Sequence, residues 1–245
     1  MSGSVSPLAA LRLVYGLILR QLVTRGRLIA LLLVGVVVGG VAAAVGSSDS
    51  VDDPLEAAVR IIADLGFITL VPVVALVFAS AALGDARDDG TLVYLWLRPM
   101  DRWPVVVGAW LAAVTVSLPL TIVPLGIAAL LVDGGGTLVS ATVIASVVGV
   151  LAYSALFVLF GLLFRNSIVW GLGYVLVWEG IVAAFGDFAA KLAIRGYTRS
   201  IITSRTGVDL DLGDLSFGVA VVVPLVAAAA ALVVASFRLR RMEVA

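Results

Sequence analysis

The sequence predicts an all-α integral membrane protein: six transmembrane helices and an N-terminal interfacial amphipathic helix, in one domain over residues 1–245. Three observations predict it. Hydrophobic residues make up 62% of the chain and mean hydropathy is +1.19. A soluble domain is roughly 45–50% apolar, so the outside of this fold must be apolar too, with lipid as its solvent. Six apolar runs approach the ~20 residues that a helix needs to cross a ~30 Å hydrocarbon core, and most charges fall between them.

Residues 7–25 read as the interfacial helix. Leu8, Leu11, Tyr15, Ile18 and Leu22 recur at helical spacing, with Arg12, Arg20 and Arg25 elsewhere on the wheel. Such a segment lies in the interface plane. It does not read as a secretory signal, because its apolar run starts late and no small-residue cleavage site follows. The spans are expected at 28–45, 61–84, 104–132, 137–164, 167–185 and 217–237. Pro72, Pro119, Pro124 and Pro224 fall inside them, where neighbouring helices can satisfy the backbone groups a proline frees. The polar run GSSDSVDDP ends the first span as an outer loop. Residues 85–103 form a loop between spans two and three, and 186–216 an external loop between spans five and six.

Orientation follows from Lys and Arg in the loops. One side has Arg12, Arg20, Arg25, Arg27, Arg87, Arg98, Arg102, Arg165, Arg238, Arg240 and Arg241. The other has Arg60, Lys191, Arg195, Arg199 and Arg205. The richer side is the cytoplasm, so both termini and the 85–103 loop are expected inside. The four cations of the fifth loop run against this rule, and Asp187, Asp209, Asp211 and Asp214 balance them. Abundant Ala, Val and Gly, with one lysine among sixteen cations, suit a GC-rich bacterium and hence an inner membrane.

Composition removes many chemistries. The chain has no cysteine and no histidine. That excludes disulfides, thiol catalysis, Ser/His and Cys/His pairs, and zinc sites built on either residue. The single lysine, Lys191, follows alanine rather than the glycine of a phosphate-binding P-loop. Zero net charge and the lack of a basic tail argue against nucleic acid. No cofactor or metal is expected. Asp64 and Glu179 are the only carboxylates well inside candidate spans. Asp64 is four residues into its span and placed to snorkel outward. Glu179 lies roughly 20 Å in from Arg165, just beyond the middle of the core. A charged acid there costs ~2.5–3.5 kcal/mol, so it must face the bundle interior, a partner or water. It is either a hydrogen-bonded packing residue or part of a translocation path.

Residues 84–103, GDARDDGTLVYLWLRPMDRW, carry seven charges between apolar flanks. Asp88 and Asp89 suit a helix N-terminus. Leu92, Leu95 and Trp96 share a helical face, and Arg98-Pro99 stops the helix. A short amphipathic helix over Gly90–Leu97 would then lie beneath the membrane.

This pattern resembles a known family. Acidic residues, then Gly90-Thr91-Leu92, a short apolar helix, Arg98-Pro99 and Arg102 before a long span resemble the first cytoplasmic loop of the type-2 ABC transporter permeases. The resemblance covers nearly the whole chain: six spans, both termini inside, an interfacial N-terminal helix, and a large external excursion between spans five and six. It implies a type-2 exporter fold and a permease that does no covalent chemistry itself. Two copies of a separate ABC ATPase would dock on the loop through Asp88, Asp89, Gly90, Thr91, Leu92, Leu95, Trp96, Arg98, Pro99 and Arg102. The permease would pair as a homodimer or with a similar subunit, in contact with membrane lipid, and move a hydrophobic or amphiphilic substrate outward. The alternative is a non-enzymatic membrane assembly or immunity protein. An intramembrane enzyme comes third.

Overall fold

A computed structural model describes residues 6–48, 52–90, 101–132, 135–184, 187–210 and 215–242. Among these residues every regular element is a helix. They are α1 (Pro7–Leu22), α2 (Arg25–Gly46), α3 (Pro54–Asp88), α4 (Trp103–Leu131), α5 (Gly135–Leu163), α6 (Ser167–Ile181), α7 (Asp187–Ala190), α8 (Ile194–Thr206) and α9 (Phe217–Arg241). Five of them, α2, α3, α4, α5 and α9, are long and apolar enough to cross a membrane. The chain therefore has the build of a multi-pass membrane protein. α6 is apolar but shorter, so the fifth expected span, 167–185, is represented by a helix below full crossing length.

Helices α3, α4 and α5 form the centre and pack on one another, while α2 and α9 lie outermost. Lipid tails are as apolar as leucine, so helices in a membrane associate through close packing and polar contacts. This chain achieves closeness with small residues. A side chain at Gly39 of α2 would stand 2.6 Å from the Pro124 carbonyl oxygen of α4. One at Gly161 of α5 would stand 3.0 Å from the Ser80 carbonyl of α3. Polar ties are few, and the Trp110 indole donates to the Leu151 carbonyl at 3.2 Å to join α4 to α5.

α1 starts where Ser6 accepts the Ala9 amide at 3.3 Å and Pro7 pre-sets the first turn. Its buried face differs from the expected one. Ala10, Val14, Ile18 and Leu22 face inward, while Leu8 is 71% exposed. The helix is apolar on more than one side, and α4 selects the side whose smaller residues allow approach. Val14 and Tyr15 pack over Gly108, and the Tyr15 hydroxyl meets Thr115 Oγ1 at 3.2 Å.

Two stretches are wound as π-helix: Ile62–Leu70 within α3 and Tyr174–Ile181 within α6. The first leads straight into Pro72. Proline offers no amide and crowds the carbonyl four residues back, at Ile68, so the preceding turns widen. The second has a consequence for side chains. On an α-helix residues i and i+5 point about 140° apart. The wider π-turn stacks them, which sets Tyr174 and Glu179 on one face.

Residues 186–216, expected only as an external loop, contain α7 and α8. One face of α8 is buried, including Arg195, Thr198, Arg199 and Ile202. It packs on α5, α9 and the π-segment of α3. Thr198 Cγ2 lies 3.3 Å from where a side chain on Gly149 would sit, and Gly149 is at the middle of α5. The helix therefore enters the bundle. Its polar residues read as loop, yet its buried arginines Arg195 and Arg199 are four apart and meet polar partners on other helices.

Candidate functional site

Among the described residues, the buried charged side chains Glu179, Arg195 and Arg199 gather where α8 meets α3, α5 and α6. α8 has no side-chain cap of its own, because Ala193 occupies the N-cap position. Glu179 of α6 supplies the cap from fifteen residues away. Its Oε1 accepts the Ile194 amide at 3.0 Å and its Oε2 accepts the Arg195 amide at 3.1 Å. The first amides of a helix lack partners within it and carry the positive end of the dipole, so a carboxylate suits both needs. The Tyr174 hydroxyl donates to the same Oε1 at 2.8 Å. Glu179 is fully buried, and this acceptor role uses both its oxygens.

More bonds close the turn before α8 against α6. The Trp178 indole donates to the Leu192 carbonyl at 3.3 Å, and Arg195 Nη1 donates to the Gly180 carbonyl at 3.3 Å. Within the turn, the Tyr197 hydroxyl donates to the Lys191 carbonyl at 2.6 Å. A side chain on Gly196 would meet the Ala190 carbonyl oxygen at 2.4 Å, so only glycine fits where α8 doubles back past α7.

One turn further along α8, the Arg199 guanidinium bonds and ion-pairs with Asp64 in the π-segment of α3. The Arg199 side chain is 10% exposed and that of Asp64 is 47% exposed. Asp64 thus does more than reach the surface, because it neutralises a cation that the bundle covers. Two buried arginines and two acids make a locally neutral set. α5 meets it at Gly149, against Thr198, and Thr142, Ser146 and Tyr153 share that face of α5 at alternating spacings of four and three. Below Tyr153 that face turns aromatic. Tyr153 stacks on Phe157 at 6.0 Å, Phe160 meets Tyr174 edge-on at 5.9 Å, and Phe164 stacks on Trp170 at 4.9 Å.

The sequence marked Glu179 and Asp64 but not their arginines. A signal existed: two acids inside spans need two cations, and Arg195 and Arg199 are four apart, on one helical face. Tyr174 was legible only with the π-turn, whose spacing the sequence does not announce.

The 85–103 loop is described at its two ends only. Thr91, Leu92, Leu95, Trp96, Arg98 and Pro99 lie outside the described residues. At the near end, Asp88 closes α3 and Asp89 is its C-cap, so both sit at the negative end of that helix; the helix they are expected to open lies outside the described residues from Thr91 on. α3 is ended by Gly90, whose φ of +69° lies in the left-handed region. Its amide donates to the Arg87 carbonyl at 3.2 Å. Arg27 at the start of α2 offsets part of this negative charge, with Nη2 3.6 Å from Asp85. At the far end, Arg102 is the N-cap of α4 and its carbonyl accepts the Val105 amide at 3.2 Å.

Among the described residues no three Asp or Glu side chains come together as a metal would need. No protein-family model matches this chain, and no curated protein matches it either.

Proposed function

We propose that the chain is the membrane-spanning permease subunit of an ATP-driven ABC exporter. It resides in a bacterial inner membrane with six crossings and both termini in the cytoplasm. It works as a homodimer, or paired with a similar subunit, bound to two ATPase chains that perform all nucleotide chemistry. ATP binding draws the two 85–103 loops together and shifts the bundles between access states, releasing a hydrophobic or amphiphilic substrate outward.

The observation that carries this reading, beside the loop's resemblance, is the packing of α1. α4 begins at Trp103, directly after the loop, and α1 lies along its first half through Val14, Tyr15, Gly108 and Thr115. A displacement of the loop would therefore move α4 and α1 together. The neutral Glu179–Arg195 and Asp64–Arg199 set serves as the seat of α8, a fixed wall against which the other helices tilt.

The test is a Leu95→Ala/Trp96→Ala double variant. Losing one large interface anchor typically costs ~2 kcal/mol, about thirty-fold in affinity. The variant should insert and dimerise as the wild type does, yet lose the co-purifying ATPase and substrate-stimulated hydrolysis. Intact ATPase binding and stimulation would overturn the proposal. A stable complex that contains no ATPase would favour the assembly-protein reading instead.

A further inference from the structure

A groove of about 270 Å³ lies between the first turns of α4 and the last turns of α9. Trp103 and Val107 form one wall, and Leu232, Val233 and Phe237 form the other. The walls are apolar. Ser236 also borders the groove, but its hydroxyl is spent on the Leu232 carbonyl at 2.8 Å. Val233 and Phe237 are more than half exposed and Trp103 is 37% exposed, so the groove opens sideways, toward whatever surrounds the bundle. In a protein whose outer surface is this apolar, that medium is acyl chain.

One end of the groove is charged. Arg240 borders it, and its guanidinium lies 5.9 Å from the centre of the Phe237 ring. That contact holds the cation at the mouth rather than away from it. Arg238 and Arg241 share the same last turn. Trp103 opens α4 at this level, and tryptophan prefers the depth where headgroups meet chains. The groove is thus apolar along its length, with a cation and an indole at one end. Its chemistry complements an anionic amphiphile.

We propose that this groove is a binding site for an anionic phospholipid, with one acyl chain between α4 and α9 and the phosphate on Arg240. The proposal needs only that the chain resides in a membrane, and it stands or falls separately from ATPase coupling. A lipid held there would wedge α4 and α9 apart at the level of the 85–103 loop.

The test uses the full chain in phosphatidylcholine vesicles doped with a minor fraction of chain-brominated lipid, which quenches nearby tryptophan. Subtracting a Trp103→Phe variant isolates the Trp103 signal from the other four tryptophans. Brominated phosphatidylglycerol should quench Trp103 at roughly one-fifth of the mole fraction that brominated phosphatidylcholine requires, the enrichment expected of one cation near the surface. Arg240→Gln, an exposed position that folding tolerates, should abolish the preference. Arg241→Gln should leave it. Equal quenching by the two lipids overturns the proposal. So does a preference that survives Arg240→Gln, or one that Arg241→Gln removes equally, since either reports a diffuse charge effect. Absence of quenching by both lipids also overturns the proposal, since another occupant, such as a second copy of the chain, then keeps lipid out of the groove.

Discussion

Replacing Glu179 tests whether α8 is held in the bundle by a cap borrowed from α6. In Glu179→Leu the Ile194 and Arg195 amides lose their acceptors, which stand at 3.0 and 3.1 Å in the native chain. The Tyr174 hydroxyl can rotate to another acceptor, but a helix amide cannot turn. A buried donor left without a partner costs ~1–3 kcal/mol, so two give ~2–6 kcal/mol. In Glu179→Gln one amide oxygen remains for the Ile194 amide and Tyr174. The new NH2 faces the Arg195 amide, and the loss falls to ~1–2 kcal/mol. At roughly 3 °C per kcal/mol for a chain of this size, the melting temperature should drop roughly 6–18 °C for Leu and 3–6 °C for Gln. Thermal unfolding of purified protein in detergent reads the difference. Hydrogen exchange adds a local measure, because amides of residues 194–202 should lose protection in the Leu variant and largely keep it in Gln. A Leu variant that melts within about 2 °C of wild type, with α8 still protected, would refute the capping argument.

Three further outcomes are expected. Because the native chain has no cysteine, cysteines at Asp53 or Asp209 should react with an impermeant thiol reagent added outside intact cells. Those at Asp88 or Arg241 should not, and labelling of Asp88 would reverse the proposed orientation. The Asp64–Arg199 pair should respond unequally in an unfolding assay. Asp64→Leu strands a buried cation and costs about 3 kcal/mol, whereas Arg199→Met leaves a half-exposed acid that water can reach and costs about 1 kcal/mol. The double variant should recover most of the larger loss. Gly39→Ala drives a methyl into the Pro124 carbonyl of α4 and should destabilise by ~1–3 kcal/mol. Gly40→Ala meets open space and should stabilise by up to ~1 kcal/mol. Equal melting of the two variants would mean that α2 and α4 separate easily.

The long helices were legible because hydropathy over twenty residues is a strong signal that tertiary contacts rarely reverse. Residues 104–132 and 137–164 differ from α4 and α5 by a residue or two. α1 was legible as a helix but not in its rotation. Its apolar residues surround most of the wheel, and only the facing helix decides that Val14 rather than Leu11 goes inside. α8 was hidden for a different reason. Arg195, Arg199 and Arg205 lower its hydropathy to that of a loop, and pairing with Asp64 and Glu179 is a long-range fact. That α3 runs on to Asp88 was not legible, because the apolar pattern stops at Gly84 and the acids beyond it read as loop; Gly90, with a φ of +69°, is what ends the helix.

The seat of α8 also fixes an order of events during synthesis. Arg199 and Asp64 are 135 residues apart, and Glu179 precedes its amide partners by fifteen and sixteen. α8 has thirteen residues and three arginines, too short and too charged to leave water for lipid unaided. Every group that receives it is N-terminal to it: Asp64, the hydroxyl-bearing face of α5, and Glu179. The ribosome therefore delivers the receptacle before the piece that fills it. α8 folds into a cleft whose acids are already waiting, and α9, made after it, closes over it. A chain arrested before Ile194 would leave Glu179 without its amide partners, at ~2.5–3.5 kcal/mol on insertion scales, while Asp64, half exposed, would stay in reach of water. The completed bundle is thus more at ease in the membrane than any of its own N-terminal fragments that reach past Glu179 and stop short of α8.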